Sequence, residues 1–205
     1  SNENPLGPTP QLQVHLGEML RDCARYPDGS AFQLKQKLSE QLGVATDCLT
    51  VGNGSNDVLE LLARVFLKPG HNAVVSQHAF VVYGLVTQSL GATLKEVPCV
   101  DYQQDLDATL AMIDDQTRIV FIANPNNPTG TWVRRAALES FLKAVPTTTL
   151  VVLDEAYVEY VDDPEYPNGL ALLDQYSNLV VTRTFSKAYG LAALRLGYAV
   201  SHPDV

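Results

Sequence analysis

Residues 150–157 read LVVLDEAY, an apolar run that ends in two adjacent carboxylates before an Ala-Tyr pair. A short run of Val and Leu without polar alternation is typical of a strand that is buried on both faces of a sheet. Similar runs recur along the chain, and amphipathic stretches with a helical period lie between most of them. This repeated strand–helix–strand order predicts an α/β domain built on a mostly parallel sheet.

The other elements follow from the same periodicity. We predict strands at 48–51, 73–76, 93–97, 118–123, 150–154, 178–183 and 197–201. We predict helices at 30–42, 56–67, 81–90, 106–113 and 134–144, and Gly43 is a suitable stop for the first of them. Two segments do not fit the rhythm. The Pro-rich residues 1–10 are predicted to form an extended arm, and the acidic residues 162–169 a surface loop.

The composition restricts the class of protein. The chain has 205 residues, 46% of them apolar, and a net charge of −9, which does not favour binding to nucleic-acid phosphates or an anionic membrane. No apolar run approaches the roughly 20 residues of a membrane helix. The three cysteines and four histidines lack metal-ligand spacing. We therefore expect no disulfide framework, no metal site and a reducing, cytoplasmic setting.

Two motifs resemble nucleotide sites without meeting their requirements. GNGSND at 52–57 lies between a predicted strand and helix, where glycines let a backbone approach an anion. Asp57 stands where a dinucleotide fingerprint needs a third glycine, so the motif taken alone favours an ordinary strand-to-helix turn over an anion site. Asp154 ends a buried strand as in nucleotide hydrolases, but the chain has no Gly-Lys pair of a phosphate loop. Asp154 is then either a ligand-binding carboxylate at the sheet edge or a cap for the next segment.

Two more motifs follow predicted strands. NPNNPTG at 124–130 contains two X-Pro pairs and a glycine, which predict a rigid turn, and its doubled Asn exceeds what a turn requires. TRTFSKAYG at 182–190 and LRLG at 194–197 place hydroxyls, a lysine and an arginine close together. That combination suits an anion and an amine in one pocket, although a surface lysine is the ordinary alternative.

In chain order, NENPLGP, RYPDG, GNGSND, NPNNPTG, LDEAY and TFSKAYGLAALRLGY resemble the signature motifs of fold-type I pyridoxal-phosphate (PLP) aminotransferases, in particular the histidinol-phosphate aminotransferases. The resemblance implies a three-layer large domain at 30–205, with a seven-stranded, mostly parallel sheet whose last strand is antiparallel. It implies an N-terminal arm and approach segment at 1–29. The family's C-terminal small domain supplies the arginine for the substrate carboxylate. We expect this domain to be absent here and the isolated chain to turn over weakly or not at all.

The resemblance also assigns roles to matching positions. Lys187 matches the lysine that forms a Schiff base with the cofactor aldehyde, a reaction that requires a primary amine. Once freed, this amine would carry the proton between the substrate carbon and the cofactor. Asp154 matches the aspartate that pairs with the pyridine nitrogen. Tyr157 and Asn127 match the residues that hydrogen-bond the 3′ oxygen of the cofactor.

The cofactor phosphate requires several donors for nearly two negative charges. Arg195, eight residues beyond Lys187 (195 − 187 = 8), matches the family's phosphate arginine. The resemblance implies that Thr184 and Ser186 supply hydroxyl ligands to the phosphate. It implies that Ser55 and Asn56 supply backbone N–H groups. Residues 55–57 read Ser-Asn-Asp where Ser-Asp-Glu is commoner in the family. Backbone N–H donation to the phosphate does not depend on side-chain type and is expected to persist. The roles of the Asn56 and Asp57 side chains stay open.

Three further positions complete the implied site. Phe80 falls near the position whose aromatic ring stacks on the pyridine, with Tyr83 as the alternative. Tyr26 resembles a tyrosine that reaches the phosphate site of a neighbouring subunit, which implies a homodimer with shared active sites. Residues 2–4, with Asn4 on the substrate side, resemble an arm that closes over the pocket, although simple solvation explains an Asn-rich arm equally well.

The implied activity is transamination between histidinol phosphate and 2-oxoglutarate in histidine biosynthesis. Aromatic amino-acid aminotransferases share these motifs and remain an alternative. A PLP-dependent decarboxylase of a phosphorylated amino acid, similar to threonine-phosphate decarboxylase, is a second alternative. A PLP-binding domain of a transcription regulator would need a basic face and a helix-turn-helix module, and the acidic composition does not favour it.

Overall fold

A computed structural model describes residues 2–205, so Ser1 of the predicted arm lies outside the described residues. Seven strands form one sheet: β1 (Leu49–Asn53), β2 (Asn72–Ser76), β3 (Thr93–Val97), β4 (Thr117–Ala123), β5 (Leu150–Asp154), β6 (Leu179–Thr184) and β7 (Leu196–Ser201). The helices are α1 (Pro10–Met19), α2 (Phe32–Leu42), α3 (Ser55–Phe66), α4 (Val81–Ser89), α5 (Leu106–Ala111) and α6 (Arg135–Ala144). Short 3₁₀ turns lie at Leu20–Asp22, Thr46–Cys48, Val158–Tyr160, Gly169–Leu172 and Ala192–Leu194.

The strands are ordered β1-β7-β6-β5-β4-β2-β3 across the sheet. The pairs β2–β3, β2–β4, β4–β5 and β5–β6 are parallel, whereas β7 runs antiparallel to both β1 and β6. The prediction of a seven-stranded, mostly parallel sheet with an antiparallel last strand is therefore confirmed. The carboxyl ends of β4, β5 and β6 meet at one edge, as parallel pairing requires.

Helices cover both faces of the sheet, which makes the domain three-layered. On one face, Val58 and Leu59 of α3 and Tyr83 of α4 pack on inward-facing sheet residues. On the other face, Leu138 and Phe141 of α6 do the same. β2 and β5 are buried along their whole length, which explains why they are continuous apolar runs in the sequence.

The region before residue 30 differs from the sequence prediction. Residues 2–9 form no helix or strand, but α1 follows them and was not predicted. Pro10 opens α1 as its first residue, and the side chain of Thr9 caps it by accepting a hydrogen bond from the Leu12 N–H. The helix has no buried residue, so no apolar stripe marks it in the sequence. The domain boundary at residues 29 and 30 remains a prediction.

Two other segments also differ. α2 begins at Phe32 rather than at residue 30, because Ala31 is left-handed (φ 49°) and Asp28 accepts hydrogen bonds from the N–H groups of Ser30 and Phe32. The acidic segment 162–169 is exposed at its start, but Tyr166 lies beneath it and is 9% exposed. Its hydroxyl donates to the carbonyl of Asn124, so this loop is partly core.

Candidate active site

One cleft of about 640 Å³ opens at the carboxyl ends of β4, β5 and β6. Open α/β sheets bind their ligands at this edge. The cleft contains most of the site residues that the sequence predicted: Asn4, Ser55, Asn56, Phe80, Asn127, Asp154, Tyr157, Thr184, Ser186, Lys187 and Arg195. The motifs that carry them are far apart in the sequence and lie together here because the parallel strands end at one edge.

Asp154 is the last residue of β5 and is 5% exposed. The Thr182 hydroxyl, which is in register with it on β6, donates to its Oδ1 atom at 3.0 Å. The Tyr83 hydroxyl donates to its Oδ2 atom at 2.7 Å. Burial raises the pKa of the Asp154 carboxyl, and these two hydrogen bonds oppose part of the rise. None of the ion pairs formed within residues 2–205 includes this carboxylate.

The amine of Lys187 lies in the same cleft. Its Nζ atom donates to the backbone carbonyl of Asn2 at 3.1 Å and lies 5.5 Å from the centroid of the Tyr157 ring. It is also near enough to Asp154 for its charge to oppose the rise of that carboxyl's pKa. A primary amine and a buried carboxylate therefore line one cavity on the same side of the sheet.

The side chains of Asn127 and Tyr157 converge on one point. The Asn2 side-chain nitrogen donates to Asn127 Oδ1 at 3.1 Å and to the Tyr157 hydroxyl at 2.9 Å. A single polar atom can thus contact both groups at once. The same place would accept one oxygen of a ligand, provided that the Asn127 amide turned its nitrogen towards that oxygen.

Donors for an anion cluster at one end of the cleft. Thr184 and Ser186 present hydroxyls 2.9 Å apart, and α3 begins at Ser55 with its free N–H groups at the cleft. The Arg195 guanidinium lies against Gly54 and donates to the Asn53 carbonyl at 3.2 Å. A charged fork, hydroxyls and a helix N-terminus together form a site suited to a phosphate.

Two glycines allow this close packing. A Cβ atom at Gly54, whose φ is +83°, would collide with the Arg195 guanidinium. A Cβ atom at Gly197 would collide with the backbone of Gly54 and Ser55. The start of α3 can therefore approach β7 closely only with glycine at these positions.

Asp57 points away from the anion site. Its Oδ2 atom accepts hydrogen bonds from the backbone N–H of Asn53 at 2.9 Å and from the side chain of that residue at 3.3 Å. The carboxylate thus stabilises the turn between β1 and α3. The side chain of Asn56 lies at the cleft and is exposed.

Phe80 and Tyr83, the two candidates for ring stacking, occupy different environments. Phe80 is half-buried, precedes α4 and lines the cleft. Tyr83 is 1% exposed, and its ring stacks on Phe121 at a centroid distance of 4.8 Å. Tyr83 approaches the cleft with its hydroxyl rather than with a ring face, so Phe80 is the better placed of the two for stacking on a ligand.

Tyr26 is the predicted site residue that the fold does not bring to the cleft. It is 100% exposed and does not line the cavity. The arm, by contrast, lines the cleft, and its Asn4 side chain donates to the Ala188 carbonyl at 3.1 Å. A Cβ atom at Gly190 would collide with the backbone of Gly7, so the arm packs directly on the turn after Lys187.

Three contacts of the site were missed at the sequence level. The hydroxyls of Tyr83 and Thr182 both donate to Asp154, and Asn2 bridges Asn127 and Tyr157. Tyr83 lies three residues after Phe80 in an apolar helix, and nothing in that spacing indicates a polar role. Thr182, in the apolar run LVVTRT, could have indicated one of these contacts from the sequence, because a hydroxyl in a fully buried strand needs a hydrogen-bond partner.

The chain belongs to the aminotransferase class I and II family, whose model matches residues 1–205. Among curated proteins, it is 57% identical over 205 residues to histidinol-phosphate aminotransferase 2 of Pseudomonas fluorescens, covering 100% of this chain and 55% of that protein. It is 56% identical to histidinol-phosphate aminotransferase 2 of Pseudomonas aeruginosa, covering 100% of this chain and 56% of that protein.

A solved structure is also similar. The crystal structure of histidinol-phosphate aminotransferase from Sinorhizobium meliloti in complex with pyridoxal-5′-phosphate matches with a TM-score of 0.94 and 34% identity, covering 100% of this chain and 55% of that one. The chain therefore spans about half the length of the relatives it matches. The resemblance found in the motifs and the fold class implied by it are confirmed.

No helix within residues 2–205 has the length and apolar character needed to cross a bilayer. Over the same residues, no group of three or more His, Cys, Asp or Glu side chains is arranged to hold a metal ion.

Proposed function

We propose that the protein is a PLP-dependent aminotransferase that transfers the amino group of histidinol phosphate to 2-oxoglutarate, a step of histidine biosynthesis. The observation that carries the proposal is a buried carboxylate, Asp154, which lacks an ion-pair partner within residues 2–205 and lies in one cleft with the amine of Lys187. A buried anion of this kind calls for a cationic ligand group.

The cleft fits PLP in three respects. Asp154 can pair with a protonated ring nitrogen, Phe80 offers a half-buried ring at the same cavity, and the Gly54–Gly197 contact leaves a backbone cradle beside Arg195 for a phosphate. When bound, PLP supplies an electron sink for the carbon that loses its proton. The residues of this chain do the remaining work of binding, orienting and moving that proton.

Each polar group then has a role. Lys187 would hold the aldehyde and, once free, would move the proton at the substrate carbon as a general base and acid. Asp154 would keep the ring nitrogen protonated. Tyr157 and Asn127, whose side chains Asn2 bridges in this structure, would bind the ring oxygen. The phosphate would be bound by Arg195, Thr184, Ser186 and the N–H groups of Ser55 and Asn56.

The substrate assignment rests on the relatives. Both Pseudomonas proteins carry the name histidinol-phosphate aminotransferase at 56–57% identity, which favours transamination over the decarboxylase alternative. Asn4 belongs to the arm that covers the cleft and is proposed to face the substrate. Product analysis distinguishes the reactions: histidinol phosphate and 2-oxoglutarate should give glutamate, whereas carbon dioxide released from a phosphorylated amino acid would contradict the proposal.

We also propose a homodimer that shares its active sites, located in the cytoplasm. Tyr26 is fully exposed and belongs to a segment with little packing on this domain, which supports its reaching a second copy. Apolar side chains exposed on α3 and α4 support the same association: Leu61, Val65, Val81 and Leu85. Light scattering should give a dimer mass, and Tyr26→Phe should weaken PLP binding while leaving that mass unchanged.

Free thiols at all three cysteines are consistent with a reducing compartment.

Borohydride trapping tests the central claim. The protein mixed with PLP should gain a visible absorption band, and reduction with borohydride should attach the cofactor irreversibly to Lys187, as read by peptide mass mapping. Lys187→Ala should abolish both signals, whereas Lys143→Ala, on the exposed end of α6, should keep both. Labelling that survives in Lys187→Ala would overturn the assignment.

A further inference from the structure

Tyr83 is a buried phenol whose ring cannot easily move. One face of the ring stacks on Phe121 of β4 with an interplanar angle of 7°, and Phe80 meets it edge-on at 5.7 Å. The position of a phenolic oxygen is set by the ring axis, so a fixed ring fixes the hydroxyl. That hydroxyl lies 2.7 Å from Asp154 Oδ2.

Thr182 approaches the same carboxylate from a different element. It lies on β6, is 0% exposed and donates to Asp154 Oδ1 at 3.0 Å. Each carboxylate oxygen therefore accepts a hydrogen bond from a hydroxyl held by a separate part of the core: α4 on one side and β6 on the other. The carboxyl group cannot rotate without breaking one of these bonds.

Both donors match the ionised carboxylate. An ionised carboxylate only accepts hydrogen bonds, whereas a neutral carboxyl must donate one. Two buried hydroxyls would also be costly to keep in an apolar core without partners. Phe at 83 and Val at 182 would fill these places with similar volume but without a hydroxyl, so the two hydroxyls are explained by their hydrogen bonds to Asp154.

We propose that Tyr83 and Thr182 are positioning residues that hold the Asp154 carboxylate ionised and oriented towards a cationic ring nitrogen in the cleft. This inference rests on the proposed function, because it assigns the two hydroxyls to the PLP site. They act through Asp154 and not by contact with substrate. Their effect must therefore disappear when either the carboxylate or the ring nitrogen is removed.

Equilibrium dialysis with two ligands tests this. Tyr83→Phe and Thr182→Val should each weaken PLP binding about tenfold, as expected for one lost hydrogen bond to a charged group. Neither should change the affinity for the 1-deaza analogue of PLP, which has carbon in place of the ring nitrogen. In an Asp154→Asn background, the same substitutions should change PLP affinity by less than about twofold, as for uncoupled positions.

Tyr166→Phe is the matched control. Tyr166 also has a buried hydroxyl, which donates to the Asn124 carbonyl rather than to Asp154. This variant should melt at lower temperature without discriminating PLP from its deaza analogue. Equal losses for both ligands in Tyr83→Phe, or no loss at all, would overturn the inference alone. If Tyr83→Phe does not fold, Thr182→Val decides by the same comparison. A wild-type protein that binds no PLP would instead overturn the proposed function.

Discussion

Glu155, the residue after Asp154, forms a buried ion pair with Arg183. The Arg183 Nη2 and Nε atoms lie 2.7 and 2.9 Å from Glu155 Oε2, and the two side chains are 15% and 0% exposed, respectively. The other carboxylate oxygen accepts from the Gly169 N–H at 3.0 Å. Burial raises the pKa of the Glu155 carboxyl, and the charge of Arg183 opposes that rise. Since Glu155 directly follows Asp154, the pair also holds the end of β5 against β6.

Breaking this ion pair should unfold the protein more readily. Arg183→Leu leaves Glu155 buried and uncompensated, so we expect a loss of unfolding free energy of about 3–5 kcal/mol in urea titrations. Replacing both partners with leucine should recover most of that loss, because no buried charge remains. As a control, Arg64→Ala breaks a pair with Glu60 on the surface of α3 and should cost about 0.5 kcal/mol. A loss below about 1 kcal/mol for Arg183→Leu would contradict the buried pair.

Asp154→Asn should make the cofactor-free protein more stable at neutral pH. Burial raises the folded-state pKa of Asp154 above its ordinary value of 3.8. Between those two pKa values the folded state binds more protons, so the Asp154 contribution to stability falls as pH rises through this window. The advantage of the Asn variant should therefore be smallest at pH 3–4 and grow towards neutrality. Urea titrations at several pH values measure the difference in unfolding free energy between the variant and the wild type. A stability advantage of the variant that shrinks as pH rises would refute the prediction.

Gly190→Ala should release the arm from the turn after Lys187. The new Cβ atom would collide with the backbone of Gly7 and lie 2.8 Å from the Pro8 nitrogen. We expect faster amide hydrogen exchange in residues 2–9. Gly43→Ala is the matched control, since Gly43 has a similar φ (+70° against +69°) and nothing within 4 Å of its Cβ position. The Gly43→Ala variant should lose a similar amount of unfolding free energy to Gly190→Ala, but its arm should exchange as slowly as in the wild type. Equal exchange in the two variants would show that the contact does not hold the arm.

Arg195→Lys should weaken binding of PLP about tenfold, because a lysine loses the guanidinium fork that suits a phosphate. Pyridoxal, which lacks the phosphate, should bind both forms equally. Inorganic phosphate should compete with PLP less well in the variant. Competition titrations followed by absorbance measure all three effects. A parallel loss of pyridoxal affinity would place the arginine elsewhere than at the phosphate.

The sequence predicted the strands well because they are buried on both faces. The predictions for β3 and β5 match the observed bounds, and the other strands differ at their ends by one or two residues. Helices with a buried face, such as α3, were also predicted. α1 was missed because none of its residues is buried, and periodicity reports burial rather than helix formation itself.

The candidate site was only partly accessible from the sequence. Motif resemblance selected Lys187, Asp154 and Arg195, and the fold brings all three to one cleft. It could not separate the roles of Phe80 and Tyr83, because both are aromatic residues in one short segment. The direction of each side chain depends on how α4 lies over β4 and β5. Similarly, Asp57 has a structural role in its turn that the motif alone left open.

Composition, periodicity and motif order in the sequence determined the class of fold and selected the candidate site residues, since hydrophobic period and residue type are local properties. The tertiary structure alone decided which groups meet. Tyr83 and Asp154 are 71 positions apart, and Asn2 and Tyr157 are 155 apart. Such contacts arise from the order of strands in the sheet and the placement of helices on its faces. Packing of the whole core sets both, and no short stretch of sequence encodes them.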